Sequence, residues 1–139
     1  MDTAYDAVPV CKALYVSMNL AELIKFVEAE IDSYVYEVPE GAIGNRMSDE
    51  WVQTQLIEAK ESVVEPYVEK MWLQDTYEQI KDKDNKIIQE LLVVADDKED
   101  FIVFYDQENK EFGLANSTCS EIKVTIGVRG DFVGCFMAR

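Results

Sequence analysis

Apolar side chains recur at Leu20, Leu23, Ile24, Val27, Ile31 and Tyr34, three and four positions apart, with Glu22, Lys25, Glu28 and Asp32 between them. That spacing lays one apolar stripe along a helix and leaves the charged residues for solvent. Asn19 suits a helix cap, Glu22 completes a capping box, and Met18 can staple onto Leu23, so the helix is predicted to start at Asn19. Pro39, Gly41 and Gly44 then mark a loop that includes Asn45 and Arg46.

A second helix is predicted from Ser48, with Asp49 and Glu50 in the first turn, where the positive end of the helix dipole favours acids. Val52, Leu56, Val63 and Tyr67 continue at helical spacing. Pro66 lacks a backbone donor, and the segment is expected to kink there or to restart as a separate helix running to about Lys81. Trp51, Val52, Gln53 is echoed by Trp72, Leu73, Gln74. Two amphipathic helices produce such matches by chance, and two copies are too few for a repeat architecture.

From Gln89 onward the pattern is that of strands: Leu91 to Ala95, Phe101 to Tyr105, Glu111 to Ala115, Ile122 to Val128 and Phe132 to Met137. Asp96 to Asp100 and Asp106 to Lys110 are the right length for hairpin loops. Ile87, Ile88, Leu91 and Leu92 fit a helix as well as a strand, which leaves the start of the sheet open by several residues. Helices followed by strands predict an α+β fold, with N-terminal helices packed on one face of a C-terminal antiparallel meander of four to five strands. A chain of 139 residues is expected to form one domain over residues 1–139 with one core.

Charge narrows the choice of partners. The chain carries 28 acids against 13 bases, a formal net charge of -15. Such a field repels nucleic acid and anionic lipid and speeds encounter with a basic protein surface. The apolar runs are far shorter than the roughly 20 residues that cross a bilayer. The opening Met1, Asp2, Thr3, Ala4, Tyr5, Asp6 has neither the basic start nor the apolar stretch of a secretory signal, so a cytoplasmic location is expected. Cys11, Cys119 and Cys135 are odd in number and widely spaced, which favours buried reduced thiols over a disulfide framework or a zinc site.

The absence of histidine removes the Ser-His-Asp triad, the Cys-His dyad, the H-E-x-x-H metalloprotease and the usual zinc deaminase ligands together. Asp82, Asp84, Asn85, Lys86 begins like a calcium loop, but Lys86 stands at a ligand position, Ile87 at the glycine and Val93 at the closing acid. Gly127, Gly130 and Gly134 do not have the spacing of a nucleotide-binding loop. Arg129, Gly130, Asp131 and Asn116, Ser117, Thr118 spell an adhesion tripeptide and a glycosylation sequon, both of which need an extracellular setting. No catalytic, metal or cofactor residue is assigned, no cofactor is expected, and the chain reads as a non-enzyme.

Glu58, Glu61, Glu65 and Glu69 recur at three, four and four positions, and on a near-continuous helix they form one acidic stripe. That stripe and the hairpin acids Asp96, Asp97 and Asp100 are the candidate partner-binding residues, each also readable as ordinary solvated surface. Trp51, Trp72, Tyr77, Tyr34 and Tyr36 are expected in the core, or as hot spots beside the acidic rim.

Small acidic α+β chains without catalytic signatures resemble the immunity proteins that neutralise bacterial toxins, and the inhibitors that phages make against host defences. The expectation is stoichiometric capture of a basic partner, such as a nuclease toxin, by a monomer or homodimer. The competing readings are a small-ligand or enzymatic domain using carboxylates or Cys119 and Cys135, and a structural adaptor subunit that pairs through an open edge of the meander.

Overall fold

A computed structural model describes residues 10–36, 47–82 and 84–139, with side chains from residue 20 onward. The loop expected around Pro39, Gly41, Gly44, Asn45 and Arg46 lies outside the described residues. Helix α1 covers Val10–Ser33. It is already running at Asn19, which therefore does not cap it. Val10 to Met18 contains neither proline nor glycine, so nothing in that stretch stops the helix from starting earlier. The stripe itself is as expected: Leu23, Val27 and Ile31 are buried.

Helix α2 spans Asp49–Ser62, and the Ser48 hydroxyl accepts from the Trp51 N–H at 3.1 Å, the cap that the sequence predicts. Lys60 pairs with Asp32 at 2.7 Å and links α2 to α1. The predicted continuation through Pro66 does not occur. At Val63 the backbone turns extended (φ -60, ψ 130), and residues Val63–Trp72 form strand β1. The adjacent β-branched pair Val63 and Val64 favours a strand, and Pro66, which has no N–H to give, sits at a break in register between Val63 and Tyr67. Of the helix expected to reach Lys81, only α3, Tyr77–Lys81, is present, started by a capping box between Thr76 and Gln79. Trp51 thus lies in a helix and Trp72 at a strand end, and the echo between them is not a structural repeat.

The sheet continues with β2 (Ile88–Asp96), β3 (Phe101–Asp106), β4 (Glu111–Asn116) and β5 (Lys123–Gly130). The ambiguous Ile87 to Leu92 segment is strand from Ile88. The segment expected as a last strand, Phe132 to Met137, is helix α4 (Phe132–Met137), capped by Asp131, whose carboxylate accepts from the Gly134 N–H at 2.6 Å. A five-residue apolar cluster is too short for its period to distinguish the two. The five strands among the described residues are therefore β1 to β5, each antiparallel to the next. A short parallel pairing of β1 with β5, Met71 with Lys123 and Trp72 with Val124, closes them into a barrel. The open meander ends expected at Leu91 and Met137 are thus not sheet edges.

The near-continuous apolar runs of β2 and β3 follow from burial on both faces. Met71, Leu91, Val93, Ile102, Phe104 and Ala115 fill the barrel interior. Leu92, Val94, Val103, Phe112 and Leu114 face outward and meet Leu23, Val27 and Ile31 of α1, Ala59 of α2, and Phe132, Val133 and Phe136 of α4. Gly113 is required by this packing, because a Cβ there would overlap the Phe104 ring. The Glu30 carboxylate reaches across from α1 to accept from the Val133 N–H at 2.9 Å. Burial pushes that carboxyl above the usual range and Asp131 adds to the effect, against the opposing pull of the Val133 N–H. Of the expected core aromatics, Tyr34 is half-buried and packs against the core, Trp51, Trp72 and Tyr36 are half-buried and Tyr77 is exposed, while Phe104, Phe112, Phe132 and Phe136 are the buried aromatics among the described residues. No helix among the described residues is long and apolar enough to cross a membrane.

Candidate functional site

The acidic stripe does not exist as one face. Glu58 and Glu61 lie in the last turns of α2, whereas Glu65 and Glu69 lie on β1. The turn at Val63 separates the pairs, and it brings Glu58 and Glu61 to the β2–β3 hairpin instead. Glu58, Glu61, Asp96, Asp97 and Glu99 line one open cleft of about 280 Å³, with Lys98 and Arg139 as its cations. Five carboxylates against two cations leave this corner strongly negative.

Arg139 holds the corner together. Its guanidinium donates to Glu58 at 3.0 Å, to Gln55 at 3.0 Å and to Asp97 at 3.1 Å, and it lies 3.9 Å from the Phe136 ring centroid. The hairpin acids also shape their own turn. Asp96 accepts from the Lys98 N–H at 2.7 Å, and Asp97 from the Glu99 and Phe101 N–H groups at 2.8 and 3.1 Å. Lys98 takes a left-handed conformation at the tip (φ 60). Asp100 is drawn away from the corner, where it accepts from Thr118 Oγ1 at 3.0 Å and its carbonyl from the Ser117 N–H. Glu61 and Glu99 are the exposed acids of the cleft that do not bond Arg139.

A second charged group was not foreseen. Arg129 on β5 donates to Asp106 at 2.8 Å and to Asp75 at 2.7 Å, and its guanidinium carbon stands 4.9 Å from the Phe104 ring centroid. Asp106 is only 1% exposed, and Asp75 also accepts from the Gly127 N–H at 2.9 Å. Burial would raise the Asp106 carboxyl, but hydrogen bonds from Arg129 and Asn109 hold it below the usual carboxylate range. Thr125 and Arg129, an even number of positions apart on β5, were the available polar signal for an inward-facing end of the barrel. The group joins three chain segments and is a structural plug.

A third feature is an apolar cleft of about 310 Å³ between α1 and the β3–β4 hairpin, lined by Leu23, Phe26, Tyr105 and Phe112 with Glu22, Gln107 and Lys110 at its rim. Phe26 stacks on Phe112 at 6.0 Å and Tyr105 tilts against Phe112 at 4.9 Å. Neither Cys119 nor Cys135 lines it. Cys119 is exposed, and Cys135 is buried with its thiol pushed up to about 12, chiefly by desolvation. Among the described residues no group of three or more acids and cysteines is arranged to hold a metal ion. No family model, curated protein or solved structure matches the chain.

Proposed function

We propose that this protein is a non-enzymatic inhibitor of the immunity type, which neutralises a basic protein by stoichiometric binding through the corner formed by α2 and the β2–β3 hairpin. The observation that carries the reading is the convergence of Glu58 and Glu61 with Asp96, Asp97 and Glu99 in one open cleft. Glu58, Glu61 and Glu99 are its exposed carboxylates, and, on a chain of net charge -15, they steer a basic partner and present charged hydrogen-bond acceptors to its lysines and arginines. A nuclease toxin, or a host-defence effector if the protein is phage-borne, has the complementary charge. The test is affinity capture followed by a measurement of stoichiometry and inhibition. A basic protein bound one to one and blocked in its activity supports the reading. Retention that is equal for wild type and for a variant with Glu61→Lys and Glu99→Lys contradicts it.

A second reading, binding of a small apolar ligand, is favoured by the aromatic cleft beside Phe26, which is 57% exposed. Perturbation of the Phe26 and Tyr105 ring resonances by an aromatic fragment library, with no response at the acidic corner, would select it.

A further inference from the structure

The barrel is closed over a very short seam. The β1–β5 ladder holds only Met71 with Lys123 and Trp72 with Val124. The ladder does not extend toward the earlier part of β1, because the residues that precede Lys123, Ser117–Ile122, are bends rather than strand. Among the described residues, no strand pairs with the β5 side of β1 from Val63 to Lys70.

Exposure agrees with an open seam. Tyr67 pairs with Val93 and so shares the face that Val93 turns to the barrel interior, yet Tyr67 is 41% exposed. Val68, on the opposite face, is also 41% exposed. Pro66, in the same stretch, is a residue that sheets admit at edges and bulges. A strand edge with accessible apolar side chains on both faces is a template for another extended chain.

We propose that the Glu65–Lys70 edge of β1 receives an extended basic segment of the partner protein as an added strand. The occupant follows from charge. Glu65 is exposed and Glu69 half-buried along this edge, with Lys70 the sole cation of the stretch, and the edge begins where α2 delivers Glu61 to the acidic corner. A second copy of this chain would bring another net charge of -15 to the same place. Glu69 pairs with Leu91 and so shares the face of Tyr67, with Val68 on the other, and a segment alternating lysine or arginine with aliphatic residues sets its cations on the side of Tyr67 and Glu69 and its apolar side chains toward Val68. The proposal rests on the reading of the protein as a captor of basic proteins and adds the mode of contact.

The experiment titrates the full chain with a peptide of alternating lysine and valine about ten residues long, enough to span the edge at about 3.3 Å per residue. A control peptide has the same sequence, with the amides of alternate residues N-methylated so that the main-chain donors are removed. The expected result is amide shifts and slowed hydrogen exchange confined to Tyr67–Lys70, binding about tenfold weaker for the methylated peptide, and a similar loss for Glu65→Lys with Glu69→Lys. Equal binding of both peptides, with shifts at Glu58 and Glu61 only, would overturn strand addition and leave charge-based capture standing. Binding of neither overturns both. Protection, in the peptide-free protein, of the Tyr67–Lys70 amides that do not bond β2, together with a dimer in sedimentation, would assign the edge to a second copy and also overturn the proposal.

Discussion

The Arg129 guanidinium donates to the Asp106 carboxylate at 2.8 Å where Asp106 is almost wholly buried, so the charge of each residue depends on the other for compensation. Removing one partner of a buried pair strands the other. Arg129→Met is expected to cost about 3–5 kcal/mol, more than the loss of an exposed pair such as Lys60 with Asp32, which solvent screens. The folded carboxyl of Asp106 lies below its unfolded value, so its contribution is present above about pH 4 and is lost as pH falls through the folded value. Urea midpoints measured over a pH series should therefore fall in acid for wild type and fall less steeply for Asp106→Asn.

Gly113 and Phe104 occupy one volume inside the barrel. Gly113→Ala is expected to destabilise by about 1–3 kcal/mol through overpacking, since the ring is enclosed and has little room to move. Phe104→Leu in the same chain should recover part of the loss. Thermal unfolding of the single and double variants checks the coupling, and additive effects would show that the two sites do not compete for space.

Val27 is 0% exposed at the centre of the α1 stripe. Val27→Asp places an unpaired carboxylate among Leu92, Phe112 and Phe132, at a cost of several kcal/mol against a total stability of about 5–15. Loss of the cooperative melt in circular dichroism is expected.

Cys119 and Cys135 should differ sharply toward alkylating reagents. At mildly alkaline pH the exposed Cys119 should label promptly, while Cys135, buried and with its thiol pushed up to about 12, should label only after denaturation. Peptide mapping by mass spectrometry reads both sites in one sample.

The elements with a strong local signal were legible from the sequence. The stripe of Leu23, Val27 and Ile31, the Ser48 cap and the runs from Leu91 and Phe101 are all where periodicity places them. Strand β1 is hidden in the sequence because Val63 and Tyr67 stand four apart, which fits a helix, and Pro66 fits a kink or a restart of that helix as well as it fits an edge strand. The paired β-branched residues at Val63 and Val64 were the contrary signal. The start of α1 was missed because a capping box can be spelled inside a helix. Of the candidate site, the residue types were legible but the grouping was not. Glu58 and Glu61 meet Asp96 and Asp97 only because α2 ends at Ser62 and β1 pairs back along β2, and the role of Arg139 between them depends on α4.

The central claim is that the cleft between α2 and the β2–β3 hairpin meets a basic protein. The most direct test is the association rate with the basic protein recovered by capture, measured at low and at physiological salt for wild type and for Glu61→Lys with Glu99→Lys. These two acids line the cleft without bonding Arg139, so folding should be unchanged and the comparison reports on binding alone. Steering between exposed charges is screened beyond about 10 Å at 0.1 M salt, so the wild-type rate should fall about tenfold or more as salt rises. The variant should be slow at low salt and nearly insensitive to further addition. A variant that associates as fast as wild type at low salt, with the same salt dependence, would contradict the assignment of this corner as the interface.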